Sequence, residues 1–118
     1  MTQPNAHELL EVARQTLLEQ LLPALPGELR YPALMIANAM AIVTRENRLQ
    51  ADARCQELAL LSVLTGDTGE LLHEARRQLA RDIRQGRHDA ALRQRSLTEA
   101  LRQVTLARLA ISNPKALP

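Results

Sequence analysis

Residues 31–49 read YPALMIANAMAIVTRENRL, and their pattern decides the fold. At about 100° per residue on a helix, Leu34, Met35, Ile36, Ala37, Met40, Ala41, Ile42 and Val43 point in every direction, so no side is wholly polar. Such a helix is expected at the centre of a fold, wrapped by others. It falls short of the roughly 20 apolar residues that cross a bilayer, so no membrane span is expected. Asn38 and Arg45 interrupt it on one face, about two turns apart.

Composition points the same way. Leu and Ala account for 23 and 18 of 118 residues, Val and Ile for four each, a balance that favours helix over strand. A chain of this length buries roughly two-thirds of its unfolded surface without disulfide or metal staples. The expected architecture is therefore all-α: a single-domain bundle of four or five helices around a central apolar helix over residues 32–49. With no breaker before Gly66, that helix either bends near residues 50–52 or runs on to 65. The single cysteine, Cys55, excludes an internal disulfide and fits a reducing compartment. The stretch MTQPNAHELLEVARQ lacks a basic start and an apolar run, so no signal peptide is read in it, and the cytoplasm is the expected location.

The other helices are expected at residues 6–22, 51–65, 69–85 and 89–112. Asn5 with Glu8 makes a capping-box-like start to the first, which Pro23, Pro26 and Gly27 end. Three prolines and a glycine in PALPGELRYP predict a rigid connector, with Pro32 in the first turn of the central helix. Cys55, Leu58, Leu61 and Leu64 form the apolar side of the third segment. Asp67 or Thr68 is placed as cap of the fourth helix, with Leu72, Ala75, Leu79 and Ile83 inward, and Asp89 as cap of the last.

Basic character comes from 14 arginines and one lysine. Through Ala75 there are 5 basic and 10 acidic residues, and from Arg76 onward 10 basic and 3 acidic. This polarity suits an acidic partner, head-to-tail self-association, or helices that compensate one another within a bundle.

No residue reaches the specificity of a catalytic motif. His7, His73 and His88 lie near helix ends without ligand spacing, so neither a metal nor a cofactor is expected. Cys55 has no base in sequence reach, and Ser62, Ser96 and Ser112 lack an elbow-like setting. Two constellations remain. Arg77, Arg81 and Arg84 share a face that Arg76, Arg87, Arg93 and Arg95 extend, and such a face suits an anion or nucleic acid. With no Phe or Trp and one Tyr, the chain has no stacking platform for single strands, which favours a solvated, partly paired face. Tyr31, Asn38, Arg45, Glu46, Arg108 and Asn113 form the second constellation. It is either a structural network that fixes helix register or a polar pocket in which Arg45 grips a carboxylate or phosphate. Arg108 points among Leu97, Leu101 and Val104 and needs a partner such as Glu46 or a helix C-terminus.

The runs LLPALPGELRYPALMIANAMAIVTRE (21–46) and LARLAISNPKAL (106–117) resemble a small uncharacterised bacterial helical family, domain-of-unknown-function family number sixty-two eighty-five. The matching positions are Pro26-Gly27, Ala37-Asn38-Ala39, Arg45-Glu46 and Asn113-Pro114; the helix breaker that many relatives carry after Glu46 is missing here. Members of that family are often encoded beside aminoglycoside-phosphotransferase-like kinases and acyl-CoA dehydrogenases. The resemblance implies a helper role in acyl-CoA or related catabolism and supplies no catalytic residue. The expected function is a non-enzymatic accessory protein for a larger enzyme, self-associating as a dimer. The alternative is a small anionic-ligand-binding protein or minor enzyme built on Asn38 and Arg45; a third is nucleic-acid binding through the arginine face.

Overall fold

The structure is a computed structural model that describes residues 5–118. It is all-α as the composition requires: α1 (Ala6–Thr16), α2 (Gly27–Thr65), α3 (Leu72–Arg84) and α4 (Ala91–Ser112), with no strand among the described residues. The chain divides into two compact units. One comprises the described residues up to Gln50 with Ile111–Asn113; the other comprises Ala51–Ala110 with Pro114–Pro118.

In the first unit, α1 starts where the sequence places it, the Glu8 amide donating to Asn5 Oδ1 at 2.9 Å. Its end differs from the expected residue 22. After Thr16 the chain widens into a π turn over Leu17–Leu21, the Leu22 amide reaching back to the Leu17 carbonyl, and then tightens into a 3₁₀ turn over Leu22–Ala24. Pro23 has no N–H with which to continue the ladder.

The connector is shorter than expected because α2 begins at Gly27, the Leu29 amide bonding the Pro26 carbonyl. Pro32 thus sits inside the helix rather than in its first turn, where its ring nitrogen cannot donate to the carbonyl four residues back. From Gly27 to Thr65 the helix is continuous over 39 residues, with no break near residue 50.

Burial corrects the expectation of a wrapped segment. Between residues 29 and 43 only Ala33 and Ala37 are buried, while Leu29, Leu34, Met35, Ile36 and Val43 stand about half exposed. The small alanines sit one turn apart on one side, where a neighbour can approach closely. Arg14 of α1 does so, donating from Nε to the Ala37 carbonyl at 3.0 Å.

In the second unit, Leu61, Ala75 and Leu79 form the core, with Leu58, Leu64, Leu72 and Leu97 packed against it. Of the expected stripe on α2, Leu58, Leu61 and Leu64 lie in or against this core, whereas Cys55 is exposed and Glu57, one turn before Leu61, is buried. Ile83, expected inside, is exposed.

Gly66 ends α2 with φ +75°, its amide bonding the Ser62 carbonyl at 2.8 Å. Neither Asp67 nor Thr68 caps the next helix. Thr65 Oγ1 accepts the Asp67 amide and Asp67 Oδ1 accepts the Gly69 amide, so these side chains are spent on the loop and α3 starts later, after Leu71. A second left-handed glycine, Gly86 at φ +78°, turns the chain out of α3 and leaves His88 buried ahead of α4.

Candidate functional site

Helix ends and buried charges decide where the polar side chains of the two constellations go. Arg45 is half-buried and donates from Nε to the Ile111 carbonyl at 2.7 Å, across 66 residues of sequence. Ile111 lies in the last turn of α4, whose final carbonyls have no intrahelical donor and carry partial negative charge. A guanidinium there both satisfies a carbonyl and complements the helix dipole.

Asn38 does not join it. Its side chain is exposed, and so are Tyr31 and Asn113. Glu46 is half-buried. Arg108 bonds Glu57, at 3.1 Å from Nη2 to Oε1, across 51 residues. The constellation thus divides. Arg45 closes a helix end in the first unit, and Arg108 neutralises a buried carboxylate in the second.

That carboxylate is the feature sequence analysis missed. Glu57 is 6% exposed and also accepts both Nε and Nη2 of Arg76, the latter at 2.9 Å. The Arg76 hydrogen bond holds its carboxyl below the usual glutamate range; burial opposes this, and the charges of Arg76 and Arg108 reinforce it. The same pairing raises Arg76 above its ordinary value. These residues border a cavity of about 240 Å³ with Leu79, Ile83 and Val104 on its walls. A carboxylate kept ionised by two guanidinium groups is a poor proton donor and a weak base near neutral pH, so the cluster holds helices rather than moving protons. The sequence signal was partial: Glu57 lies one turn before Leu61 on α2, but single-helix spacing does not show which carboxylate meets which arginine.

The arginine face is partly spent in the same way. Arg77, Arg81 and Arg84 are exposed on one side of α3, and Arg81 Nη2 donates to Gln78 at 2.8 Å. Arg76 serves Glu57. Arg87 donates to buried Asp82 at 3.2 Å, an acceptor that Gln78 shares at 2.8 Å. Arg93 reaches the Arg87 carbonyl at 3.3 Å. What remains is a short stripe of solvated charge.

His88 is the second missed feature. The residue is 5% exposed, and neither ring nitrogen has a hydrogen-bond partner among the described residues. Leaving such a group unmet costs about 1–3 kcal/mol. It lines a cavity of about 470 Å³ with the last turn of α2 and the first two turns of α4. Among the described residues no three His, Cys, Asp or Glu side chains gather as metal ligands, and no helix is long and apolar enough to cross a membrane.

Fold and contacts together define a small all-α protein in which Arg14, Arg45, Arg76 and Arg108 tie helices to one another. Residues 23–116 match the family model of a domain of unknown function, DUF6285, and the chain belongs to that family. No curated protein and no solved structure matches it.

Proposed function

We propose that this chain is a non-enzymatic accessory protein that docks on a larger enzyme through the first half of α2. One observation carries the proposal: Leu29, Leu34, Met35, Ile36 and Val43 stand half exposed around a helix that buries only two alanines over the same stretch. Leu29, Ile36 and Val43 recur at spacings of seven, which puts them on one side of the helix, and exposed apolar surface of this kind is costly in water and marks interaction sites. Leu9 and Val12 of α1, in the same unit, are exposed as well. The exposed charges of the same unit are more acidic than basic, Glu8, Glu11, Glu19 and Glu28 against Arg30 and Arg48, so a complementary surface presents apolar side chains with a rim richer in lysine and arginine. The enzyme classes that the family resemblance implies, a phosphotransferase-like kinase or an acyl-CoA dehydrogenase, are the candidate partners. A second copy of this chain is the competing occupant, since its own basic C-terminal half offers matching charge.

The test is affinity capture of the tagged protein from its native cell extract at low and raised salt, beside Met35→Lys/Ile36→Lys, with light scattering of both proteins alone. A stoichiometric enzyme of either class, retained at raised salt and lost in the double variant, supports the adaptor. Capture of nothing but a second copy, with a dimer that the double variant dissolves, replaces it by self-association.

A further inference from the structure

We propose that two copies of this chain associate head to tail, the outward side of α1 of one copy lying in the groove between the end of α2 and the first half of α4 of the other. The helix belongs to the first unit and the groove wholly to the second, so the contact joins unlike units of two copies. It does not involve the apolar side of α2 and is independent of enzyme docking there.

Two adjoining cavities of about 470 and about 390 Å³ make the groove and share Val63, Leu64 and Ser96 on their walls. Val63 and Leu92, 85% and 76% exposed, are the most exposed large apolar side chains of the described residues, and both line it. Uncovered apolar surface of this size asks for a partner. The charged groups on the walls are Arg93, Arg95 and Glu99. Glu99 is answered from its own helix, by Gln103 at 3.3 Å and Arg102 at 4.0 Å, whereas Arg95 is exposed and pairs with no acid among the described residues. The groove therefore favours an apolar partner with carboxylates beside it.

The outward side of α1 has that chemistry. At about 100° per residue, Glu8, Leu9, Val12 and Gln15 fall within about 120° of one another, and all four are exposed. Gln15 donates to Glu19 at 3.2 Å, which brings a second exposed carboxylate to the same side. The one arginine of α1, Arg14, is turned to the Ala37 carbonyl, so no guanidinium interrupts this side. Lengths agree as well: 11 residues of α1 span about 16 Å, as does α4 from Leu92 to Gln103. The chain as a whole is charged in the same sense, with 10 acidic against 5 basic residues through Ala75 and 10 basic against 3 acidic beyond it. A second copy thus supplies both the apolar pair and the carboxylates that the groove lacks. The contact is heterologous, one surface meeting a different one.

Sedimentation of the full chain from about 10 µM to about 1 mM spans the affinities expected of one short helix in a groove. The mean mass should rise with concentration and fall at raised salt. Arg93→Glu/Arg95→Glu and Glu8→Arg/Glu19→Arg should each weaken association at least about tenfold while keeping wild-type circular dichroism, since all four side chains are exposed. An equal mixture of the two variants should restore it, because the reversed groove then meets the reversed helix. Val63→Asp, at another exposed site, should weaken association likewise, and Met35→Lys/Ile36→Lys should leave it unchanged. A chain that stays monomeric throughout, association that both reversals leave intact, or a mixture of folded variants that stays dissociated overturns the contact. Loss of association in Met35→Lys/Ile36→Lys alone also overturns it and assigns self-association to the apolar side of α2.

Discussion

Arg45 and Ile111 are joined by a 2.7 Å hydrogen bond from the guanidinium Nε to the backbone carbonyl, so a side chain in the middle of α2 closes the C-terminal end of α4. The bond does three things at once. It satisfies an orphan carbonyl, places positive charge at the negative end of a helix dipole, and gives a half-buried cation a partner. Arg45 is thereby committed to structure.

Arg45→Met should cost about 1–2 kcal/mol, the worth of a charge-assisted hydrogen bond plus its dipole contribution. Urea unfolding gives the loss, and hydrogen exchange should show it concentrated as fraying of the last turn of α4. Arg45→Lys should recover part of it. An unchanged unfolding midpoint in Arg45→Met would show that the bond contributes nothing.

Glu57 makes stability depend on acidity. Its carboxyl titrates below the ordinary glutamate range in the folded chain because Arg76 and Arg108 favour the ionised form. The contribution is therefore fully present above the unfolded value, near ~4.3, and is lost as the pH falls through the lowered folded value. Urea unfolding between about pH 6 and about pH 3 should show a steeper loss in the wild type than in Glu57→Gln, whose side chain cannot titrate. Equal slopes would remove Glu57 from the acid response.

Leu61 is the largest fully buried side chain of the described residues. Leu61→Ala should cost about 2–4 kcal/mol, because it opens a cavity among Ala75, Leu79 and their neighbours that helices cannot easily collapse to fill. Two positions on, Val63 is almost fully exposed, and Val63→Ala should stay within about 0.5 kcal/mol. Thermal unfolding of the pair separates core from surface on one helix.

Gly66 provides a clean measure of backbone strain. A Cβ added there meets nothing within 4 Å, so any effect of Gly66→Ala arises from its φ of +75° alone. The expected cost is about 1 kcal/mol, visible as a lowered unfolding midpoint.

Helix class, the cap at Asn5 and the stop at Gly66 were legible because each depends on residues within a turn or two. Boundaries moved where a local signal had a rival. Asp67 could cap α3 or knit the loop before it, and the loop contact to the Gly69 amide won. Cys55 and Ile83 fit an apolar stripe by spacing alone, but the side of a helix that faces inward depends on what packs there, and Glu57 occupies the inward position in α2.

The sequence by itself determined that this protein is all-α and that its charges are unevenly spread, since helical periodicity and composition are local properties of the chain. Only the tertiary structure decided which charges meet. Arg45 and Ile111 lie 66 residues apart, Arg108 and Glu57 51 apart, and each arginine had several acceptors of equal merit on paper. The choice rests on where packed helices bring an oxygen within about 3 Å of a guanidinium, a distance that no pattern along one helix contains. The exposed apolar side of α2 was hidden for the same reason: a helix that is hydrophobic all round reads as buried until its neighbours are seen to cover only the side of Ala33 and Ala37.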